Sequence, residues 1–252
     1  TCFLISSAPS QHFPDAMQAL ELGYDILVEK PAFLSVSEAQ AAMDLANKNN
    51  CILAEAFMFK YSNIYNHAIA YWNKYKFEIS EIEINFSIPE LPTNTFRDNK
   101  EIKNSILFDL GCYGLTMLFD LNIDLEHLNL RNFGFYKGRL SSLELVNEKK
   151  PTVKMNFSAG TEYQNYLKFC RNDHSQILFE PFFYGRKGKK KIILSYGNEV
   201  ITETALYDGN SFCNMLLTSN ECLKRSQIMR FSSMLQVTSC LNRLSHEISK
   251  FT

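Results

Sequence analysis

The chain has 252 residues, 46% of them hydrophobic, enough to build one large core or two modest ones. Its 26 basic and 27 acidic residues leave a formal charge of -1, so no global field gathers nucleic acid or anionic lipid. Seven scattered cysteines without a Cys-x-x-Cys pair suit neither a disulfide framework nor a zinc site and point to a reducing cytoplasm, and no apolar run approaches the roughly 20 residues of a membrane span.

Residues 2–6 read as a short buried strand closed by the turn-forming run Ser6-Ser7-Ala8-Pro9-Ser10. A helix follows, with Pro14 in its first turn, Phe13, Ala16, Met17, Ala19 and Leu20 on one apolar face, and Gly23 as its C-cap. The next strand, 24–29, carries Ile26-Leu27-Val28 and delivers Glu29, Lys30 and the φ-locking Pro31 at its C-terminal end. Strand, helix and strand at this spacing form a βαβ unit with parallel strands and a right-handed crossover. A charged pair at such an exit is either a solvent-facing strand end or the chemical centre of a site, and the pattern leaves both open.

Ser35 or Ser37 caps a second helix, with Glu38 in its first turn and Ala39, Ala42, Met43, Leu45 and Ala46 facing inward. Residues 51–57 form another buried strand that carries Glu55, so two successive strands bring carboxylates to one sheet edge. A third helix over 63–75 packs through Ile64, Ala68, Ile69, Tyr71 and Trp72. Beyond Phe77 strict polar and apolar alternation begins at 81–88 and returns at 129–135, 140–146, 152–158, 163–169, 176–182, 191–195 and 199–204. That is an antiparallel sheet with one buried face. One apolar helix, 106–121, interrupts it, and helical stretches at 211–215 and 226–249 close the chain.

Within the inserted helix, Asp109 and Tyr113 lie four apart and share a face, so the carboxylate can position the phenol and hold its proton. Gly111 and Gly114 each cost about 1 kcal/mol relative to alanine in a helix, which suggests close approach by a ligand or a neighbouring strand. The plainer reading is a capping aspartate and a half-buried aromatic. The basic run 186–191 reads as a solvated hairpin, with a phosphate-bearing substrate as the alternative. His174 and His246 show no metal-ligand spacing, and Phe182, Phe183 and Tyr184 suit a core or subunit interface.

Taken in order, Pro9-Ser10-Gln11-His12, Ala19-Leu20-Glu21-Leu22-Gly23, Val28-Glu29-Lys30-Pro31, Glu55-Ala56-Phe57-Met58-Phe59-Lys60-Tyr61 and Asp109-Leu110-Gly111-Cys112-Tyr113 resemble the glucose-fructose oxidoreductase / inositol dehydrogenase / rhizopine-catabolism (Gfo/Idh/MocA) family. The Glu-Ala-Phe-Met stretch and the tyrosine are most similar to its dihydrodiol dehydrogenase and glucose-fructose oxidoreductase branch. The resemblance implies an α/β plus α+β protein: the C-terminal part of a Rossmann domain over 1–60, lacking its glycine-rich loop, then a large, mostly antiparallel sheet domain over 61–252 with helices on one face. It implies NAD or NADP as cofactor, a sugar-like or cyclitol substrate oxidised or reduced at a hydroxyl-bearing carbon, and a homo-oligomer joined through the C-terminal sheet.

By the same resemblance, Lys30 hydrogen-bonds the reacting oxygen, Asp109 is the substrate-binding carboxylate and Tyr113 stands at the acid/base position. A nearby ammonium is expected to lower the phenol's pKa. Ser7, Pro9, His12, Glu29, Lys30 and Glu55 fall on the cofactor side; for His12 a purely structural role stands beside that one. The chain departs from the family at three points. It begins about where a fourth Rossmann strand would lie, so the glycine-rich loop is missing. Lys103-Asn104-Ser105 replaces a frequent glycine run, and Thr116 stands where many members have a second aspartate. The competing expectation is therefore a truncated, non-catalytic binding or assembly module that retains the fold.

Overall fold

The computed structural model describes residues 2–90, 105–218 and 227–251. Compactness divides these into two units, the described parts of Thr1–Phe57, Glu101–Leu125 and Leu217–Thr252 in one, and of Met58–Lys100 and Glu126–Leu216 in the other. The division is not the two consecutive segments 1–60 and 61–252. The helix expected to interrupt the sheet domain, and the closing helix, both belong to the first unit. Their composition supplies the reason: residues 112–118 are buried on every side, so this helix needs neighbours all round rather than one sheet face.

The first unit begins with β1 (Cys2–Ile5), α1 (Pro9–Glu21), β2 (Asp25–Glu29), α2 (Val36–Lys48) and β3 (Leu53–Ala56). The three strands pair in parallel in the order β1-β2-β3, with Val28 opposite Ile5 on one side and Glu55 on the other. Ile26, Leu27 and Val28 are all buried, as expected of a parallel strand covered on both faces. Helix α1 starts at Pro9, so Pro14 lies inside the helix rather than in its first turn. It ends in a Schellman arrangement: Gly23 adopts φ +79, its amide bonds the Leu20 carbonyl and the Tyr24 amide bonds the Ala19 carbonyl. Helix α2 has a full capping box in which Ser35 and Glu38 satisfy each other's backbone amides, an arrangement whose loss typically costs about 1 kcal/mol. Ala16, Leu20, Ala39, Ala42 and Met43 form one core with Phe231 and Met234.

The second unit opens with a short 3-10 turn, Met58–Tyr61, and α3 (Asn63–Tyr75). Its eight-stranded sheet contains β4 (Ile79–Ile88), β5 (Asn129–Tyr136), β6 (Arg139–Asn147), β7 (Thr152–Ala159), β8 (Gln164–Arg171), β9 (Ser175–Glu180), β10 (Gly188–Tyr196) and β11 (Glu199–Asp208), in the order β11-β10-β9-β8-β4-β7-β6-β5. All pairs are antiparallel except β4 with β7. The two reversals of the β5-β6-β7 meander leave β7 running in the direction of β5, and it pairs in parallel with β4. Ile82, Ile84 and Phe86 face the core, where Trp72 of α3 meets Phe169 at 5.8 Å between ring centroids.

On the opposite face, Glu83 pairs with Lys168 and accepts from the Tyr166 hydroxyl. Burial alone would raise the Glu83 pKa, but the hydrogen bonds from Lys168 and Tyr166 and the Lys168 charge outweigh it, and the net shift is downward. A depressed carboxylate stabilises the fold above its unfolded value of about 4.3 and loses that contribution as pH falls through the folded value. Glu83→Gln should therefore make stability less dependent on pH on the acid side, measured by urea unfolding at stepped pH. An acid limb as steep as in the unmodified chain would contradict this.

The basic run 186–191 lies at the connection of the antiparallel pair β9 and β10 with Arg186, Lys187, Lys189 and Lys191 exposed, as a solvated hairpin requires, but Lys190 departs from that reading. The second half of the run opens β10, and alternation turns Lys190 inward, where it is 1% exposed. Lys190 Nζ lies 3.3 Å from Asp208 Oδ2 and donates to the Tyr184 carbonyl at 2.6 Å. Asp208 in turn accepts from the Asn63 and Ile64 amides at the start of α3, which places a carboxylate at a helix N-terminus. Burial lowers the Lys190 pKa and Asp208 only partly restores it.

A π-helical turn, Leu107–Gly111, leads into α4 (Cys112–Asp120), and α5 (Ser211–Leu216) and α6 (Gln227–Ser249) complete the helices. Among the described residues no helix is long and apolar enough to cross a membrane and no His, Cys, Asp or Glu group is arranged to hold a metal ion. Lys103 and Asn104, singled out in the sequence, lie outside the described residues.

Candidate active site

Because β1, β2 and β3 are parallel, their C-terminal ends open on one edge, the side on which open α/β sheets bind ligands. Lys30 leaves β2 directly at that edge. Its ammonium donates to Asp109 Oδ1 and to the Asp109 backbone carbonyl, both at 2.7 Å, and lies 4.8 Å from the centroid of the Tyr113 ring. The lysine and aspartate side chains are 13% and 15% exposed and Tyr113 is 6% exposed, so the cluster is enclosed but not sealed. Phe57, at the end of the β3 segment, meets the Tyr113 ring edge-on at 5.5 Å.

The sequence placed Asp109 and Tyr113 on one regular helix. Instead Asp109 sits in the π turn and Tyr113 in α4, and the carbonyl of Asp109 is turned to Lys30. A π turn replaces the i→i+4 spacing with i→i+5, and such turns recur at functional sites. The acceptor pair presented to Lys30, one carboxylate and one carbonyl from the same residue, is a product of that turn.

Burial opposes a charge on Lys30, but the Tyr113 oxygen and the Asp109 carboxylate more than offset it, and the ammonium titrates well above the usual lysine value. The expected lowering of the Tyr113 pKa is not what the structure gives. Burial raises it, Lys30 opposes that, and Cys112, Asp109 and Glu29 add to the rise, so the phenol is held above its ordinary value. The site keeps its phenol protonated at neutral pH.

The other predicted residues lie around this edge in different ways. His12 is buried in α1 with its ring nitrogens 3.0 Å from the Pro31 and Ser7 carbonyl oxygens. Ser7 is exposed and donates its hydroxyl to Asp15 at 2.6 Å. Pro9 is the first residue of α1, whose N-cap, Ala8, makes no side-chain cap bond. Glu55 Oε1 accepts from the Ala32 amide at 2.8 Å. Glu29 is partly exposed at the end of β2. Lys30, Asp109 and Tyr113 are thus brought together, and His12 and Glu55 bracket the turn that follows Lys30. The sequence reading missed Phe57 as the wall of the tyrosine, although it stands two residues after Glu55 in the quoted motif. Thr116 is buried, and its hydroxyl has no hydrogen-bond partner among the described residues.

A parallel three-stranded βα unit with a lysine-carboxylate pair and a phenol at its ligand edge, followed in the chain by a large mixed sheet, has the architecture of a dinucleotide-binding fold. Residues 1–57 match the family model described as the oxidoreductase family, NAD-binding Rossmann fold, of the Gfo/Idh/MocA type. The fold of the chain is similar to that of a Gfo/Idh/MocA family oxidoreductase from Vibrio cholerae, at 14% identity and TM-score 0.70, covering 98% of this chain and 78% of that one.

Among curated proteins it is similar to dTDP-3,4-didehydro-2,6-dideoxy-alpha-D-glucose 3-reductase of Streptomyces violaceoruber, 24% identical over 107 residues, which are 42% of this chain and 31% of the relative. The matched stretch thus spans about a third of that relative's length. The fold is similar to that of KijD10, a 3-ketoreductase from Actinomadura kijaniata solved with NADP and TDP-benzene, at 16% identity and TM-score 0.77, covering 95% of this chain and 75% of that one. It is similar as well to aldose-aldose oxidoreductase from Caulobacter crescentus, solved with glycerol, at 14% identity and TM-score 0.77, covering 98% and 77%.

Proposed function

We propose that this chain carries the hydride-transfer site of an NAD(P)-dependent oxidoreductase acting on a sugar, with Lys30, Asp109 and Tyr113 as the groups that handle the reacting oxygen. The observation that carries the reading is the enclosed ammonium of Lys30, held at 2.7 Å by two oxygens of Asp109 and facing the Tyr113 ring. When bound, the nicotinamide supplies or accepts the hydride. Asp109 keeps Lys30 charged, and the ammonium hydrogen-bonds the substrate oxygen and stabilises the negative charge that grows on it. Tyr113, kept protonated by burial, gives its proton to that oxygen as a carbonyl becomes a hydroxyl. A phenol held above its ordinary pKa is protonated at neutral pH, the form that can donate to a developing alkoxide in carbonyl reduction. The names of the 3-reductase and the 3-ketoreductase above agree with that direction.

The residues fit the nicotinamide end of a dinucleotide. Ser7, Pro9, Glu29 and Lys30 lie at the strand ends and the start of α1, whose N-cap, Ala8, makes no side-chain bond. The pyrophosphate end is different: residues 1–57 contain a single glycine, Gly23, at the far end of α1. Further parallel strands bearing a phosphate cradle would take the open edge of β1, where Phe3 and Leu4 are 45% and 49% exposed. A cytoplasmic setting and homo-oligomerisation through the polar face of the mixed sheet belong to the same proposal.

The test is NADH or NADPH oxidation by the protein, followed at the nicotinamide absorbance, against TDP-linked 3-ketosugars and free aldoses. Substrate-dependent oxidation with a ketosugar is the expected result. No oxidation with any of them, with either cofactor, would favour the non-catalytic assembly module.

A further inference from the structure

We propose that His12 and Glu55 are positioning residues for Lys30, acting by holding the two ends of a single peptide group. The proposal rests on the reading of Lys30 as the lysine of the site. The peptide is the one between Pro31 and Ala32: its carbonyl oxygen lies 3.0 Å from His12 Nδ1 and its amide donates to Glu55 Oε1 at 2.8 Å. The two holding side chains come from different elements, α1 and β3, and are 19 and 23 residues away from the groups they hold. A peptide fixed at both its oxygen and its nitrogen cannot rotate without breaking one of the two bonds, and a bond to a carboxylate is among the stronger kinds.

The restraint extends to the residue on either side. The φ angle of Pro31 is fixed by its ring, and β2 fixes the backbone up to Glu29, so little freedom is left at Lys30. From that backbone position the lysine side chain reaches both oxygens of Asp109. His12 is itself held by its surroundings, being 1% exposed. Both ring partners are carbonyl oxygens, which only accept, and the contact to Pro31 requires a proton on Nδ1. The two residues that the sequence assigned to cofactor binding thus spend the groups seen here on the chain itself. Their influence on the chemistry runs through where Lys30 Nζ is held.

The test reads Lys30 directly and needs no turnover. Acetic anhydride labels lysines through the free amine, so an ammonium held by Asp109 is acetylated slowly. Peptide mass spectrometry of the full protein then gives the Lys30 rate relative to the exposed Lys48. His12→Ala and Glu55→Ala should each raise that ratio by about threefold or more, the change produced by lowering a lysine pKa about half a unit. His12→Asn, which offers an amide nitrogen where Nδ1 stood, and Glu55→Gln, which keeps an acceptor oxygen, should retain the starting ratio. Unchanged ratios in both alanine variants, or an equal rise in the conservative ones, would overturn the proposal.

If the alanine variants fail to melt cooperatively, the 15N spectrum of the unmodified protein decides instead. A protonated His12 Nδ1 supports the clamp and an unprotonated one refutes it. The outcomes separate this idea from the proposed function. Should Lys30→Met keep full hydride transfer while the labelling pattern holds, the clamp stands and the site assignment fails.

Discussion

Replacing Lys30 with methionine should lower the rate of NAD(P)H-dependent carbonyl reduction by about 10²–10⁴-fold, the range found when a positioned electrostatic or proton-handling group is removed. Methionine keeps most of the length and apolar volume of the stem, so packing beneath the ammonium changes little. What is lost is the charge between Asp109 and the substrate oxygen. The substitution also leaves the Asp109 carboxylate without its partner. At 15% exposure that carboxylate keeps some access to water. The cost in stability should therefore be roughly 1–3 kcal/mol, below the 3–5 kcal/mol typical of breaking a fully buried pair. Steady-state kinetics with a ketosugar and urea unfolding measure the two effects separately. A loss of stability with no loss of rate would mark Lys30 as a structural ion pair.

The second large effect belongs to Tyr113→Phe. Removing one oxygen leaves the ring, and with it the edge-on contact to Phe57 and the contact under Lys30. Unfolding should stay cooperative, while kcat falls by about 10²–10⁴-fold because the proposed proton donor is gone. The fall should appear in kcat more than in KM, since the phenol's contribution is realised as charge develops in the transition state. A KM effect with unchanged kcat would mean that the hydroxyl binds substrate and does not transfer the proton. A deuterium solvent isotope effect present in the unmodified protein and changed in this variant would support the donor role.

Much of the framework could be read from neighbouring residues. A serine cap on α2 with Glu38 in its first turn and the Gly23 end of α1 are local patterns that follow from a few residues; both appear, with Ser35 rather than Ser37 as the cap. The alternating strands from 129 onward appear at nearly the expected limits, because a half-buried sheet imposes a period of two. The strand that delivers Lys30 was legible from its continuous apolar run, while that pattern left open whether its charged end was a solvent-facing exit or a site.

Other features depend on partners far away in the chain. Lys190 looked solvated within a run of like charges, and only the pairing of β10 with β11, which brings Asp208 within reach, explains its burial. The π turn at Leu107–Gly111, whose Asp109 carbonyl accepts from Lys30, is announced by no helical periodicity. The noncontiguous first unit had a signal that was available but unused: the helix around Leu115 is apolar on all sides, which one face of a sheet cannot satisfy. The Tyr113 pKa was misjudged because the sequence shows the cation nearby and does not show the depth of burial that outweighs it.

The central claim is that Lys30, Asp109 and Tyr113 form one hydride-transfer site. Its most direct test is transfer of deuterium from 4-deuterated NADPH to a TDP-linked 3-ketosugar, read by mass spectrometry of the sugar product. The account predicts one deuterium on the new carbinol carbon with the unmodified protein and strongly reduced transfer in both Lys30→Met and Tyr113→Phe, each still folded. Undiminished deuterium transfer in both folded variants would contradict it.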